Sequence, residues 1–494
     1  MARRAMRAGA AGDAVAVGLE RLRTELEIPT SYPPPALAEA EEAARRGPLD
    51  PPGSPPRADA RDLPLVTLDP PSSLDLDQAF HLARSGSGYV VHYAIADVAA
   101  FVTPGGALDA ETHRRGLTYY GPDGRHGLHP PVLSEGAGSL LPDVDRPAAL
   151  WRIGLDADGA VTDVDVRRSW VRSRAKLNYA QLQVDLDAGT ADTMLQLLPV
   201  IGQLRADAQI ERGGATLDVP DQEVARTDAG GYTLTYRAGL PSDEHNAQLS
   251  LLTGIAAARL HREAGVGIWR TLAPARDSDV ARLRRVAHAL GLTWPRRMSY
   301  GMFAAGLDST EPTHAAFATE ATRLFRGAGY AAFGTTASPG VPAGASHSAI
   351  AAEYAHVTAP LRRLVDRYAT EVALAHLAGT PVPDWVLGAL DALPAEMAAA
   401  SQRANAYEKG SVDLIEAVLL AGREGDVLEA VVVESSPSRE EGQQGQARAT
   451  VLISEPAVRS RIVGPADALV LGTRVDVRVV ATDPEARTIA LEVA

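Results

Sequence analysis

Between Leu63 and Ala79 the chain reads LPLVTLDPPSSLDLDQA, an apolar run that carries Asp69 into a Pro-Pro-Ser-Ser turn and then sets Asp75 and Asp77 close behind it. A strand that ends this way confines three carboxylates to one short loop. Carboxylates held together raise one another's pKa unless a cation lies among them. Oxygen donors with no His or Cys nearby suit hard cations such as Mg²⁺ or Mn²⁺ better than zinc or copper. An ordinary solvated turn would use the same residues, because Asp favours turns through its local hydrogen bonds. The rest of the chain has to separate these readings.

From residue 62 to about 171 the pattern is that of strands. AFHLARSGSGYVVHYAIADV alternates on both sides of a Ser-Gly-Ser-Gly turn, and LWRIGLDADGAVTDVDVRRSWV repeats the logic about Asp156 to Gly159. Residues 178 to 422 are mostly helical by periodicity, clearest in HNAQLSLLTGIAAARLHREAG and RRLVDRYATEVALAHLAG, each stopped by a glycine. From Arg423 onward, short strands between polar loops fit a five-stranded OB barrel, and a small sandwich nearly as well. Residues 1–61 hold two short helical patterns and the linker GPLDPPGSPPR, whose prolines continue neither helix. The expected fold class is α+β, in three parts. A helical extension (1–61) precedes a mixed β-sheet domain surrounded by helices (62–422) and a C-terminal all-β OB barrel (423–494).

The chain of 494 residues has no cysteine, which excludes disulfides, thiolate metal sites and a cysteine nucleophile, and fits a cytoplasmic protein. No apolar run spans a bilayer, and Asp13 interrupts the weak stretch behind the basic N-terminus, so no membrane association or secretion is expected. The net charge of −14 argues against indiscriminate nucleic-acid binding. A binder with this charge needs a local basic channel. Arg167, Arg168, Arg172, Arg174 and Lys176 form one candidate cluster, and Arg362, Arg363 and Arg367 another.

The second of these stands in EYAHVTAPLRRLVDRYATE, where Pro360 precedes Arg362 and Arg363 at the expected start of a helix. Alone, the two arginines read as a surface pair. Beside the acidic loop they make the combination that phosphoryl chemistry requires, carboxylates for a metal and a guanidinium for charge on phosphate oxygens.

In order and approximate spacing, the acidic loop, VVHYAIADV, RAKLNYAQL, YAHVTAPLRR and ANAYEKG resemble the ribonuclease II and ribonuclease R family, whose RNB domain degrades single-stranded RNA from the 3′ end. The resemblance covers about residues 62 to 422 and, more weakly, the terminal barrel. It implies a hydrolytic 3′-to-5′ exoribonuclease that uses Mg²⁺, or Mn²⁺, and acts on single-stranded RNA to release nucleoside 5′-monophosphates; a monomer is the separate expectation for the chain. Carried over by position, it implies metal ligands at Asp69, Asp75 and Asp77, with Asp77 nearest the chemistry. Gln78 stands where the family has a fourth acid, and an amide oxygen would ligate Mg²⁺ more weakly there. Arg362 matches the arginine used against the scissile phosphate and Arg363 its basic neighbour. Tyr120 matches the aromatic that stacks on the terminal base, with Tyr119 as the adjacent alternative and a core tyrosine as the bland one. Lys176 and Tyr179 match residues flanking the RNA path, and Glu408 an acid near the bound 3′ end.

Several departures go with the match. Ala359 replaces a serine, and Leu364 and Val365 replace an aromatic residue and a proline. The extension is too short and too helical for the cold-shock barrels of the family's usual forms. The barrel from Arg423 on has no Phe, Tyr, Trp or Lys, which suits a wall of the RNA entrance better than a stacking platform. Asp97, in AIADV, reads as structural at a strand end. Gln78 and the diverged arginine motif motivate a second reading, a catalytically weakened RNA-binding protein of the same fold. Hydrolysis of another phosphodiester, such as DNA, rests on the acidic loop alone.

Overall fold

The computed structural model describes the chain except residues 1, 52, 217–220, 228–230, 238, 309–310 and 438–444. Two helices come first, α1 (Ala2–Glu25) and α2 (Pro34–Arg46). The alternating runs then form strands β1 (Leu65–Leu68), β2 (Gln78–Ser85), β3 (Gly88–Ala96), β4 (Asp145–Leu155) and β5 (Val161–Leu177). β2, β3, β4 and β5 are antiparallel neighbours; the expected turns join β2 to β3 and β4 to β5, while residues 97–144 lie between β3 and β4. β5 is long enough to continue past β4, and its last residues pair in parallel with β1, so the sheet closes on itself.

A row of large residues crosses one face of the sheet, Val66 beside Phe80, Tyr93, Trp151 and Val166 in register. It packs on two helices, α3 (Pro241–Ala264) and α4 (Leu364–Ala378), through Leu249, Leu252, Val365, Tyr368 and Val372. Ala79 and Ala94 line the other face with Leu65 and Leu150. α4 is buried around almost its whole circumference, and its buried charges are paired, Asp366 with Arg363, Arg367 with Asp109 and Glu371 with Arg168. Both helices end at a glycine with positive φ, Gly265 at 71° and Gly379 at 65°, where a side chain would be strained.

A long helix, α5 (Leu393–Leu420), leads to the C-terminal strands β6 (Val427–Pro437), β7 (Gln446–Ile453), β8 (Val458–Pro465), β9 (Arg474–Asp483) and β10 (Thr488–Val493). They form one antiparallel sheet in the order β8-β7-β6-β9-β10 with its own core around Val432, Val451, Val477 and Val479. One curled sheet favours the barrel over the sandwich. Its edges meet at Gly464, where a Cβ would lie only 2.8 Å from Val493 Cγ2.

The middle of the chain departs from the helical expectation in two places. Asp221–Arg226 pairs with Tyr232–Arg237, and Gly267–Thr271 pairs with Gly329–Phe333. The second pair joins segments that are far apart in sequence and too short to display a period. The linker is anchored: Arg57 pairs with Asp50 and Asp97, each at 2.8 Å, and Asp97 also holds Arg168 at 3.1 Å, so Asp97 is a structural acid. Among the described residues no helix is long and apolar enough to cross a membrane.

Candidate active site

Asp69 ends β1, its N–H donating to Leu177 O at 3.1 Å. The loop that follows is pinned before it reaches β2. Lys176 Nζ donates to Pro71 O at 2.6 Å and to Ser73 O at 2.5 Å, while Ser139 Oγ donates to Leu74 O and accepts from Leu76 N–H. This fixes Asp77, only 5 % exposed, against the turn that precedes α4. Asp77 Oδ1 accepts from Leu361 N–H at 2.7 Å and Oδ2 lies 3.4 Å from Arg362 Nε. The Arg362 side chain is 46 % exposed, so its outer end meets solvent while the carboxylate behind it is buried.

Burial pushes the Asp77 carboxyl up to about 8, against the pull of Arg362 and the Leu361 N–H, with Asp75 adding repulsion. Burial likewise raises Asp69 to about 6, helped by Asp75 and opposed by Arg362 and Lys176. Burial opposes the Arg362 charge, but Asp77, Tyr120 and Asp366 together outweigh it and the pKa rises. Both carboxyls are therefore biased toward their neutral forms, chiefly by burial, with the charge of Asp75 adding to it.

Tyr120 lies on a short hairpin, Tyr119–Gly121 paired with Gly124–His126. Tyr119 is buried and donates its hydroxyl to Arg115 O, whereas Tyr120 is 49 % exposed and its hydroxyl feels the charges of Arg362, Asp75, Asp77 and Arg125. Of the two tyrosines, Tyr120 is the one that can stack on a ligand. The segment leading to it is tied to the arginine turn by backbone bonds, Thr118 N–H to Arg362 O and Leu364 N–H to Gly116 O, each at 3.0 Å. Tyr179 also faces the site, within the fields of Asp69 and Arg362, its hydroxyl accepting from Asn246.

The RNB domain family matches residues 57–379, and the RNase II-type exonuclease C-terminal S1 domain family matches residues 426–494. The chain belongs to the RNB family. Ribonuclease R of Aquifex aeolicus (strain VF5) is 25 % identical over 96 % of this chain and 70 % of that protein. Exosome complex exonuclease RRP44 of Homo sapiens is 34 % identical, but over only 33 % of this chain and 18 % of that protein. Among solved structures, the apo form of Mycoplasma genitalium RNase R gives a TM-score of 0.83 at 16 % identity, covering 98 % of this chain and 78 % of that one. At that identity the likeness is one of fold.

Four RNB positions are placed differently from the expectation. Gln78 Nε2 donates to Thr358 O at 2.7 Å, and its Oε1 accepts from the Tyr93 hydroxyl and from Ser250 Oγ. Both lone pairs of that oxygen are engaged, so as placed here Gln78 braces β2 against β3, α3 and the arginine turn. Lys176 spends two of its three protons on the acidic loop and shapes that loop. Arg363 forms a fork with Asp366, at 2.9 and 2.8 Å, and Asp366 also accepts from Ala359 N–H. Arg363 thus holds the turn that aims Arg362. Glu408 lies away from the aspartates, in a cleft of about 1350 Å³ where α5 meets the barrel, with Lys409, Arg326, Arg459 and Arg461.

Arg125 escaped the sequence reading. It pairs with Asp75 at 2.5 Å and with Glu135 at 2.8 Å. No periodicity marks that triplet; charge complementarity within the segment was the only available signal.

Among the described residues no three His, Asp or Glu side chains are arranged as a ready-made metal site. Asp75 is turned onto Arg125 and Asp77 onto the Leu361 N–H. The donor chemistry nevertheless fits a hard cation. Asp69 and Asp77 are shielded carboxyls whose charged forms are disfavoured where they stand, which a bound divalent ion would reverse. Asp69, Asp75 and Asp77 are the residues that would hold it.

Proposed function

We propose that this RNB protein is a hydrolytic exoribonuclease that shortens single-stranded RNA from its 3′ end, using Mg²⁺ or Mn²⁺ at Asp69, Asp75 and Asp77. A cytoplasmic monomer is the setting we infer for it. The observation that carries this reading is the pairing of buried Asp77 with exposed Arg362, beside the exposed ring of Tyr120. A divalent ion there supplies charge neutralisation at the phosphate and acidifies the attacking water. The rest falls to the chain. Asp77 orients Arg362 through Nε, Arg362 takes the charge that builds on the phosphate oxygens, and Tyr120 stacks on the terminal base. Water adds to the last phosphorus, its P–O3′ bond breaks, and the leaving 3′ oxygen takes up a proton. The products are a nucleoside 5′-monophosphate and an RNA one nucleotide shorter.

The test uses 5′-labelled single-stranded RNA with Mg²⁺ and with EDTA. Stepwise shortening with monophosphate release, abolished by EDTA, is the expected result. Intact RNA that is shifted on a native gel would instead support the binding-protein reading, which the committed amide of Gln78 favours. Replacing Tyr120 with alanine is expected to raise KM about 5- to 150-fold, the worth of one stacked base at about 1–3 kcal/mol. An unchanged KM would remove Tyr120 from the binding site.

A further inference from the structure

The N-terminal extension reaches the stacking hairpin at three points. At the tip, Arg23 of α1, with its side chain only 10 % exposed, places Nη1 2.9 Å from Asp123 Oδ2, and the same nitrogen donates to the Tyr407 hydroxyl of α5 at 3.2 Å. At the hairpin's first foot, buried Arg115 donates to Pro29 O at 2.9 Å and to Ser31 O at 2.6 Å, and its guanidinium lies 3.8 Å over the Tyr32 ring. At the second foot the Tyr32 hydroxyl sits 2.7 Å from both Gly127 O and His129 O. The inner side of the same segment carries the backbone bonds to Arg362 and Leu364 described above. Between these fixed points lie Tyr120, and Arg125 with its hold on Asp75.

We infer that residues 23–32 act as a clamp for the site, with Arg23 a positioning residue that sets the Tyr120 ring against Arg362 through Asp123. The extension is then a working part of substrate binding and more than a linker. The inference rests on the reading that Tyr120 stacks on the 3′-terminal base. A hairpin with three residues in each strand cannot hold its own shape in water, so the pose of Tyr120 depends on what grips the tip and the feet. Without Arg23 the tip loses its only ion pair among the described residues, while Asp77 and Arg362 keep all their contacts.

The test measures nucleotide release from a short RNA by the full-length protein, with Arg23→Ala, Arg23→Lys and Tyr120→Ala singly and with Arg23→Ala combined with Tyr120→Ala. Arg23→Ala is expected to raise KM about 10-fold, inside the range a stacked base provides, with kcat little changed. Arg23→Lys should recover part of that loss. In the Tyr120→Ala background Arg23→Ala should add nothing, because the two changes act on one contact. Arg21→Ala, which breaks an exposed pair with Glu485, serves as the unchanged control. If Arg23→Ala does not fold, Tyr32→Phe, which keeps the ring over Arg115 and removes the hydroxyl, is expected to shift KM the same way. An unchanged KM, a fall in kcat alone, or equal losses with and without Tyr120 would overturn the clamp. Wild-type protein that releases no nucleotide would overturn the exoribonuclease reading instead. The same variants would then be compared by RNA-binding anisotropy, where equal affinities for wild type and Arg23→Ala would sink the clamp independently.

Discussion

Asp77→Asn is expected to lose at least about 10³-fold in turnover, about 4 kcal/mol of barrier, while RNA affinity is retained and the cation-free fold becomes no less stable. The amide keeps the volume of the carboxylate and can keep an oxygen facing the Leu361 N–H. Its other atom is then an NH₂ group facing Arg362 Nε, donor against donor, so the arginine loses its anchor and the candidate cation loses a charged ligand. Stability should move the other way. The native carboxyl is pushed up to about 8 from an ordinary value of 3.8, so the folded state binds this proton more tightly than the unfolded chain does. A carboxyl raised on folding costs stability as pH climbs from about 4 through 8, and the cost is complete above the folded value. With EDTA present the wild type should therefore lose melting temperature relative to Asp77→Asn as pH rises over that window. Single-turnover release, anisotropy with labelled RNA and calorimetry at two pH values check the three parts. Near-normal turnover would end the assignment of Asp77 to the chemistry.

The residues this prediction rests on were legible because their chemical types are scarce in such a combination. A strand ending in Asp69 and a turn at Pro360 fix where carboxylates and a guanidinium can stand, and the hairpins at Gly86 and Asp156 follow from alternation alone. What failed was the direction of side chains whose partners lie far along the chain. Gln78 braces the arginine turn and α3, and only the folded positions of Thr358 and Ser250 show it. Lys176 lies one residue before the pairing of Leu177 with Leu68, and that parallel register turns it under the acidic loop. Arg363 differs from Arg362 by one residue, yet its backbone at φ −134° and ψ 125° points it back to Asp366 within the first turn of α4. The helices of the extension could be read from their period. Their grip on the hairpin could not, since Arg23 and Asp123 belong to different elements.

Arg362→Ala is expected to lower kcat by about 10²- to 10³-fold, the loss typical of removing one preorganised donor, about 2.7–4 kcal/mol. Among the described residues the one carboxylate paired with its guanidinium is Asp77, on the Nε side, which leaves the outer end of the fork for a phosphate. A guanidinium held this way does not reorganise as charge builds on the phosphate oxygens, so its contribution appears in the transition state more than in binding. KM should therefore move little, because Tyr120 and its hairpin are untouched. The side chain is half exposed and its removal opens no core cavity, but Asp77 is left buried without a counter-charge and its carboxyl will be pushed further up. Arg362→Lys should recover only a small part of the rate, since an ammonium cannot stay anchored to Asp77 while presenting two parallel N–H groups to phosphate. Rapid-quench measurement of the first nucleotide released separates these cases. A rate within about threefold of wild type for Arg362→Ala, well short of the expected loss, would leave the Asp77 pairing as a structural contact and take Arg362 out of the chemistry.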